Sequence, residues 1–262
     1  MDRSENLRLV LRRLLDERPE YASLAIPDTL QEQQRLMRGL MNVRPPMPAS
    51  EEFLQAQDAE LQLQLKDKGV VEISDTLPCR GDGRLRLWQG DITRLKVDAI
   101  VNAANSALLG CFVPLHRCID NAIHSAAGVQ LRLACHRLMQ AQGHDEPAGA
   151  AKLTAGYNLP ASYVLHTVGP IVRNGVPTVE QEHQLAACYR SCLALADKHA
   201  LESIAFCCIS TGEFGFPQRR AAEIAADTVR AYLDAAEKTN IRTVIFNVFK
   251  DEDLSIYREI LP

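Results

Sequence analysis

The chain contains no apolar stretch approaching the roughly 18–20 residues that a membrane span requires, so no membrane partner is expected. It also lacks a basic excess: 29 Lys and Arg stand against 33 Asp and Glu, for a net charge of −4. Non-specific nucleic-acid binding needs a positive footprint, and no long basic run supplies one, so no nucleic-acid partner is expected either. Internal repeats and low-complexity tracts are absent. An export signal is not expected either. The first apolar positions, Leu7, Val10, Leu11, Leu14 and Leu15, recur at helical spacing but are interrupted by Arg8, Arg12, Arg13, Asp16 and Glu17. A secretory signal needs an unbroken apolar region and a transit peptide avoids acids, so the expected compartment is the cytoplasm.

The 262 residues, 47% hydrophobic and 24% charged, suit one domain of generous size, or one domain with an appendage, and a substantial core. Eight cysteines in such a chain are expected to stay reduced. Cys188 and Cys192 lie one helical turn apart, and Cys207 and Cys208 sit in an apolar run, which is how small buried hydrophobes are spaced. Cys111 and Cys118 differ because they bracket His116.

Two regions separate along the chain. Residues 1–75 read as helices: the amphipathic stretch above, then Thr29 to Met41 and Ser50 to Lys66. Thr29 and Ser50 are placed as N-caps, the first with Glu32 in capping-box spacing and the second after a proline break. Their apolar faces are expected to pack on the following domain. Residues 76–262 alternate strand and helix. Strands are predicted at Leu85–Gln89, Ala99–Ala104, Ala151–Ala155, Tyr163–Val168, Ser203–Ile209 and Thr243–Phe249, and helices at Ile119–Gln142, Glu180–Lys198 and Arg219–Lys238. Continuous apolar strands such as Ile204–Ile209 are covered on both faces. The expected fold class is therefore α/β, a three-layer α/β/α sandwich with a mixed central sheet and an N-terminal helical extension. Ligands in such folds sit beyond the carboxyl ends of the strands.

Three segments at strand ends carry candidate chemistry. After the first strand, Gly90-Asp91-Ile92-Thr93 offers a carboxylate that can accept from an exocyclic amine, or that simply shapes a turn. Between a strand and a helix, the loop of Ser210, Thr211, Gly212, Glu213 and Phe214 can bring successive backbone N–H groups to an anion, or can be only a tight connection. It lacks the Lys-Ser/Thr that would make it a Walker loop. The third is Cys111-x4-His116-x-Cys118, two thiols and an imidazole that form a three-donor zinc set with a fourth position open, or else two buried thiols beside a surface histidine. His124 is near enough to weigh as a further ligand but reads better as a structural histidine. Asp120 and Asn121 open the following helix, whose dipole is expected to keep Asp120 ionised.

Together these segments resemble the macrodomain family of ADP-ribose-binding proteins. The resemblance runs through Gly90 to Thr93, Val97 to Asn105, Asp120-x-Ala-Ile-His124, His166 to Pro170 and Ser210 to Phe214, covering roughly residues 80 to 262. Hydrolytic macrodomains ordinarily carry a glycine run before the Asp120 helix. The segment from Cys111 to Cys118 replaces it here, and with the N-terminal stretch Asn42-Val-Arg-Pro-Pro46 it is similar to the zinc-dependent, microbial branch of the family. That resemblance implies one Zn2+ per chain on Cys111, His116 and Cys118. It implies adenine contact from Asp91 and Ile92, and wrapping of the diphosphate and proximal ribose by Ser210 through Phe214. Asn105, Asp120 and Asn121 would lie at the distal ribose, with Asn105 and Asp120 catalytic, and Ile119 would also contact the substrate. The implied activity is hydrolysis that removes mono-ADP-ribose from acidic protein side chains, by a monomer acting on ADP-ribosylated protein. A non-catalytic ADP-ribose reader and an O-acetyl-ADP-ribose deacetylase remain as alternatives.

Overall fold

The computed structural model describes residues 2–21, 23–235 and 238–261. Three helices open it: α1 (Arg3–Asp16), α2 (Leu30–Val43) and α3 (Glu51–Lys68). Both expected caps form, the Thr29 hydroxyl accepting from the Glu32 N–H and the Ser50 hydroxyl from that of Phe53. Seven strands follow: β1 (Leu77–Cys79), β2 (Asp82–Gln89), β3 (Ala99–Ala103), β4 (Ala151–Ala155), β5 (Tyr163–Thr167), β6 (Ser203–Phe206) and β7 (Thr243–Val248). The helices among them are α4 (Ile119–Ala127), α5 (Val129–Gln142), α6 (Val179–Lys198), α7 (Gln218–Ala235) and α8 (Asp251–Ile260). The sheet order is β1-β2-β7-β6-β3-β5-β4, and only the edge strands β1 and β4 run antiparallel. This is the three-layer α/β/α sandwich with a mixed sheet, and the central strands β6 and β7 are apolar because helices cover both faces.

Adjacent β3 and β6 pair only through Ala99 with Ile204 and Ile100 with Ala205. Beyond that point the strands part, and a crevice opens at their carboxyl ends. The apolar run therefore leaves the sheet at Phe206, and Cys207 to Ile209 continue as connecting chain rather than strand.

Three further differences separate the structure from the sequence reading. The predicted helix over residues 119–142 is two helices, broken at Gly128, whose φ of 97° few side-chain-bearing residues adopt. A Cβ there would also lie 2.7 Å from the Gln57 amide of α3. Two elements were not foreseen: the short edge strand β1 and the helix α8. The predicted end of α7 at Lys238 falls partly outside the described residues.

The core is divided. One cluster surrounds the sheet, and Val71 of the preceding segment belongs to it. A second is built almost wholly from α1–α3, including Leu7, Leu11, Met37, Leu40 and Phe53, with Val129 of α5 as its contact with the sandwich. Apart from that contact with the domain, the N-terminal apolar faces turn inward. They pack on one another, because three amphipathic helices can close a core among themselves.

Candidate active site

A cavity of about 840 Å³ opens where the carboxyl ends of β3 and β6 part. Every residue proposed from sequence for catalysis, substrate or metal lies on its wall except Asn121. The chain thus gathers segments more than one hundred residues apart around a single hollow of the size that holds a small ligand.

At one end sits Asp91. It caps a short turn, its carboxylate accepting from the N–H and hydroxyl of Thr93 at 3.1 and 2.6 Å. Its second oxygen lies 3.4 Å from Lys68 Nζ of α3. Asp91 thus shapes the turn and also lines the cavity. Ile92 is buried beside it. In the 210–214 loop, the amide N–H groups of Thr211, Gly212, Glu213 and Phe214 donate to no protein acceptor among the described residues. Such a row of free donors is what an anion cradle requires. Ser210 adopts a positive φ of 66°, and its buried hydroxyl has no hydrogen-bond partner in the protein. It is packed tightly against Gly169, where even a Cβ would collide with the Ser210 hydroxyl.

In the middle of the cavity Asp120 differs from its sequence expectation. It is buried, and burial pushes its carboxyl up from 3.8 to about 6, with the Asn102 hydrogen bond and Arg132 pulling only partly back. Desolvation outweighs the helix dipole, which acts weakly beside so large a cost. Asn102 Nδ2 donates to Asp120 Oδ1 at 2.8 Å and lies 3.2 Å from His166 Nδ1, while Thr154 Oγ1 stands 2.9 Å from the other ring nitrogen. A buried polar network thus backs the carboxylate. His124 Nε2 lies 3.4 Å from Asp120, but neither of its ring nitrogens makes a hydrogen bond. It is a buried imidazole, held well below its ordinary pKa by burial. Asn105 spends its side chain on its own loop, donating to the Gly110 carbonyl at 3.0 Å and accepting from the Ala107 N–H at 3.1 Å.

Cys111, His116 and Cys118 converge, their donor atoms all within 4.8 Å of one another, so this group could hold a metal ion. His124 is not part of it. His116 turns Nδ1 to Cys111 Sγ at 3.4 Å and Nε2 to the Glu213 carboxylate at 3.6 Å. A histidine ligand commonly presents its second nitrogen to a carboxylate in this way. Burial pushes the Cys118 thiol up to about 11, and the neighbouring Cys111 adds to it. A divalent cation would offset the burial that keeps the Cys118 thiol protonated and favour its thiolate. The residues present therefore fit a soft or borderline metal.

Asn121, the exception, turns inward. Its Nδ2 donates to the Val113 carbonyl at 3.1 Å and its Oδ1 accepts from Arg38 Nη2 at 2.9 Å. Sequence reasoning also missed a whole wall. Gln34, Met37, Arg38 and Met41 of α2, with Leu61 and Gln64 of α3, line the same cavity. The first four recur at i, i+3, i+4 and i+7, which places them on one face of the helix. That spacing was visible, but two polar residues on an otherwise apolar stripe carry no chemical signature.

Residues 101–225 match the family described as Macro domain. A protein-ADP-ribose hydrolase of Treponema medium is 49% identical, with 100% of both chains covered. One from Staphylococcus aureus is 51% identical over 94% of this chain and 91% of its own. Among solved structures, a Trypanosoma brucei macrodomain in complex with ADP-ribose superposes with a TM-score of 0.66 at 32% identity, covering 82% of this chain and 92% of that one. An Oceanobacillus iheyensis macrodomain with ADP gives 0.61 at 37% identity, covering 71% of this chain and 93% of that one. The chain belongs to the macrodomain family. Within that family it is an enzyme of the protein-ADP-ribose hydrolase group, to whose members it is similar along its full length.

Proposed function

We propose that the chain is a zinc-dependent hydrolase that removes mono-ADP-ribose from acidic side chains of modified proteins in the cytoplasm. The observation that carries this reading is the opening of the Cys111/His116/Cys118 set onto the same cavity as Asp120 and the free amides of the 210–214 loop. A reader needs the adenine and phosphate segments but has no use for a three-donor metal set beside the sugar. In this reading Asp91 and Ile92 meet the adenine, and Ser210 through Phe214 cradle the diphosphate and proximal ribose. Asn105, Ile119 and Asp120 face the distal ribose, and Asn121 acts there through the chain it braces. Zinc, held by Cys111, His116 and Cys118, supplies Lewis-acid polarisation or placement of a water. Asp120, with its carboxyl near neutrality and fixed by Asn102, orients water or a ribose hydroxyl at the bond to be cut and takes up a proton as water adds. The products are ADP-ribose and the restored carboxylic side chain.

The division near residue 76 belongs to this proposal, with the helices before it serving a catalytic macrodomain after it. Elemental analysis of protein prepared without chelator, joined to release of ADP-ribose from a mono-ADP-ribosylated carrier, tests the whole. One zinc per chain with release of free ADP-ribose is the expected result. Tight ADP-ribose binding without turnover would leave the reader, and turnover confined to O-acetyl-ADP-ribose would leave the deacetylase.

A further inference from the structure

The segment between Cys111 and Cys118 has little of its own to hold it. It contains no helix or strand, and its single internal backbone hydrogen bond runs from the His116 N–H to the Val113 carbonyl at 3.2 Å. Leu115 sits at a φ of 59°, a conformation that costs a side-chain-bearing residue energy and persists only where neighbours impose it. Yet the three donors converge. Something outside the segment must set its shape.

The bracing comes from more than seventy residues upstream, on one face of α2. Arg38 Nη2 donates both to the His116 carbonyl at 3.0 Å and to Asn121 Oδ1 at 2.9 Å. One turn later, Asn42 Oδ1 accepts from the Leu115 N–H at 2.9 Å while its Nδ2 donates to Ser125 Oγ at 2.9 Å. Each side chain ties the segment to α4, the helix that carries Asp120. The backbone N–H of strained Leu115 is satisfied by Asn42, and the carbonyl of a candidate metal ligand by Arg38. Asn42 is almost wholly buried, and Arg38 Nε is a buried donor with no protein partner at the cavity wall. Buried groups of this kind hold geometry firmly, because breaking one bond strands both partners.

We propose that Arg38 and Asn42 are positioning residues of the active site: they fix the Cys111–Cys118 segment against α4, so that the N-terminal helices form part of the catalytic unit. Their effect on turnover rests on the hydrolase reading above, while their effect on the segment does not. Asp91 and Ile92, at the proposed adenine end, take no part in these contacts. Loss of either residue should therefore weaken chemistry more than ligand binding.

The test uses full-length Arg38→Gln, Arg38→Lys and Asn42→Leu proteins. Hydrogen exchange across residues 111–118 should quicken tenfold or more, with β6 and β7 unchanged. Zinc affinity, read by competition with a chromophoric chelator, should fall about tenfold. On a mono-ADP-ribosylated protein, kcat should fall at least tenfold with KM within threefold. Arg38→Lys, which keeps the charge but not the planar guanidinium that fixes the direction of the donating nitrogen, should fall between Arg38→Gln and wild type. Wild-type exchange and kcat in Arg38→Gln and Asn42→Leu would overturn the proposal. So would faster exchange spread evenly through the sheet, which would mark plain loss of stability. If the wild type held no zinc or released no ADP-ribose, the hydrolase reading would fail, and the exchange data alone would still decide this one.

Discussion

The sheet and the N-terminal helices are both closed by apolar packing, yet the seam between them is made differently. Around the sheet, strands and helices share one continuous core, and α1–α3 share another. Between the two, Val129 is the apolar bridge, and the rest is hydrogen bonding. Gln57 reaches Gln130 at 2.8 Å and the Val129 N–H at 3.0 Å, Asp58 accepts from Asn158 at 2.6 Å, and Arg132 donates to the Met41 carbonyl at 2.9 Å. An apolar seam adheres in many registers, whereas a buried polar seam is satisfied in one. A polar seam therefore suits helices whose task is to hold a cavity wall and the Cys111–Cys118 segment in a set place.

Removing the helices should have the largest effect. Because Val71 belongs to the sheet core and its backbone bridges Leu95, the cut that respects packing follows Gly69 rather than residue 75. Protein beginning at residue 70 should keep a cooperatively melting α/β core and lose hydrolysis altogether, since wall and brace leave together. Far-UV melts and ADP-ribose release check this, and an active truncated protein would break the comparison.

Next comes Cys118→Ala. It removes a candidate metal ligand and also the N-cap of α4, where Sγ accepts from the Asn121 N–H at 3.4 Å. Zinc should fall well below one per chain and turnover by about 10³, as for loss of a charge-stabilising group at a reacting centre. Metal retained at full stoichiometry would move the site elsewhere. Asp120→Ala should lower turnover by about 10² while leaving ADP-ribose affinity within a few-fold, the pattern of a lost acid/base or orienting group. Phe214→Ala acts in the 210–214 loop and should instead weaken ADP-ribose binding about tenfold, the worth of roughly 1.5 kcal/mol of lost apolar contact, with kcat preserved. Calorimetric titration with ADP-ribose separates these last two.

How much of this was legible in the sequence follows the range of the forces involved. Strands such as Ile204–Phe206 and Val244–Val248 declare themselves by composition, and the ligand segments lie at their ends, so fold and cavity could be read locally. The break at Gly128 was hidden because its cause includes a neighbour, Gln57, seventy-one positions away. Asp120 was misjudged for the same reason: a helix dipole is visible in sequence, while burial in the folded domain, only partly offset by Asn102 and Arg132, is not. Arg38 and Asn42 look like solvated polar residues until the fold lays α2 across residues 113–116.

The smallest effect concerns pH, and it should separate the two regions again. Burial holds His166 down at about 3 and His124 well below its ordinary 6.5, while burial raises Asp120 from 3.8 to about 6. As pH falls through 6.5, the unfolded chain protonates both imidazoles and the folded chain does not, so stability is lost. Below about 6 the folded state takes up a proton on Asp120 that the unfolded state still refuses, which restores part of that loss. Each uncompensated proton changes stability by about 1.4 kcal/mol per pH unit. The metal-free protein should therefore lose stability at about one proton's worth, roughly 1.4 kcal/mol per pH unit, from about pH 6.5 towards 4.5, because Asp120 offsets one of the two imidazoles over most of that range. Urea melts across that range measure the slope, and His166→Gln should lower it by about one proton. His166 is enclosed by Asn102, Thr154 and Cys135 of the sandwich, so protein beginning at residue 70 should keep its contribution, whereas His124, which shares a small cavity with Met41, Asn42 and Arg44, should lose part of its own. Stability that is flat or rises as the pH falls would mean that the two imidazoles are not held neutral in the fold. A slope lost on truncation would mean that the N-terminal helices, rather than the sheet, exclude water from them.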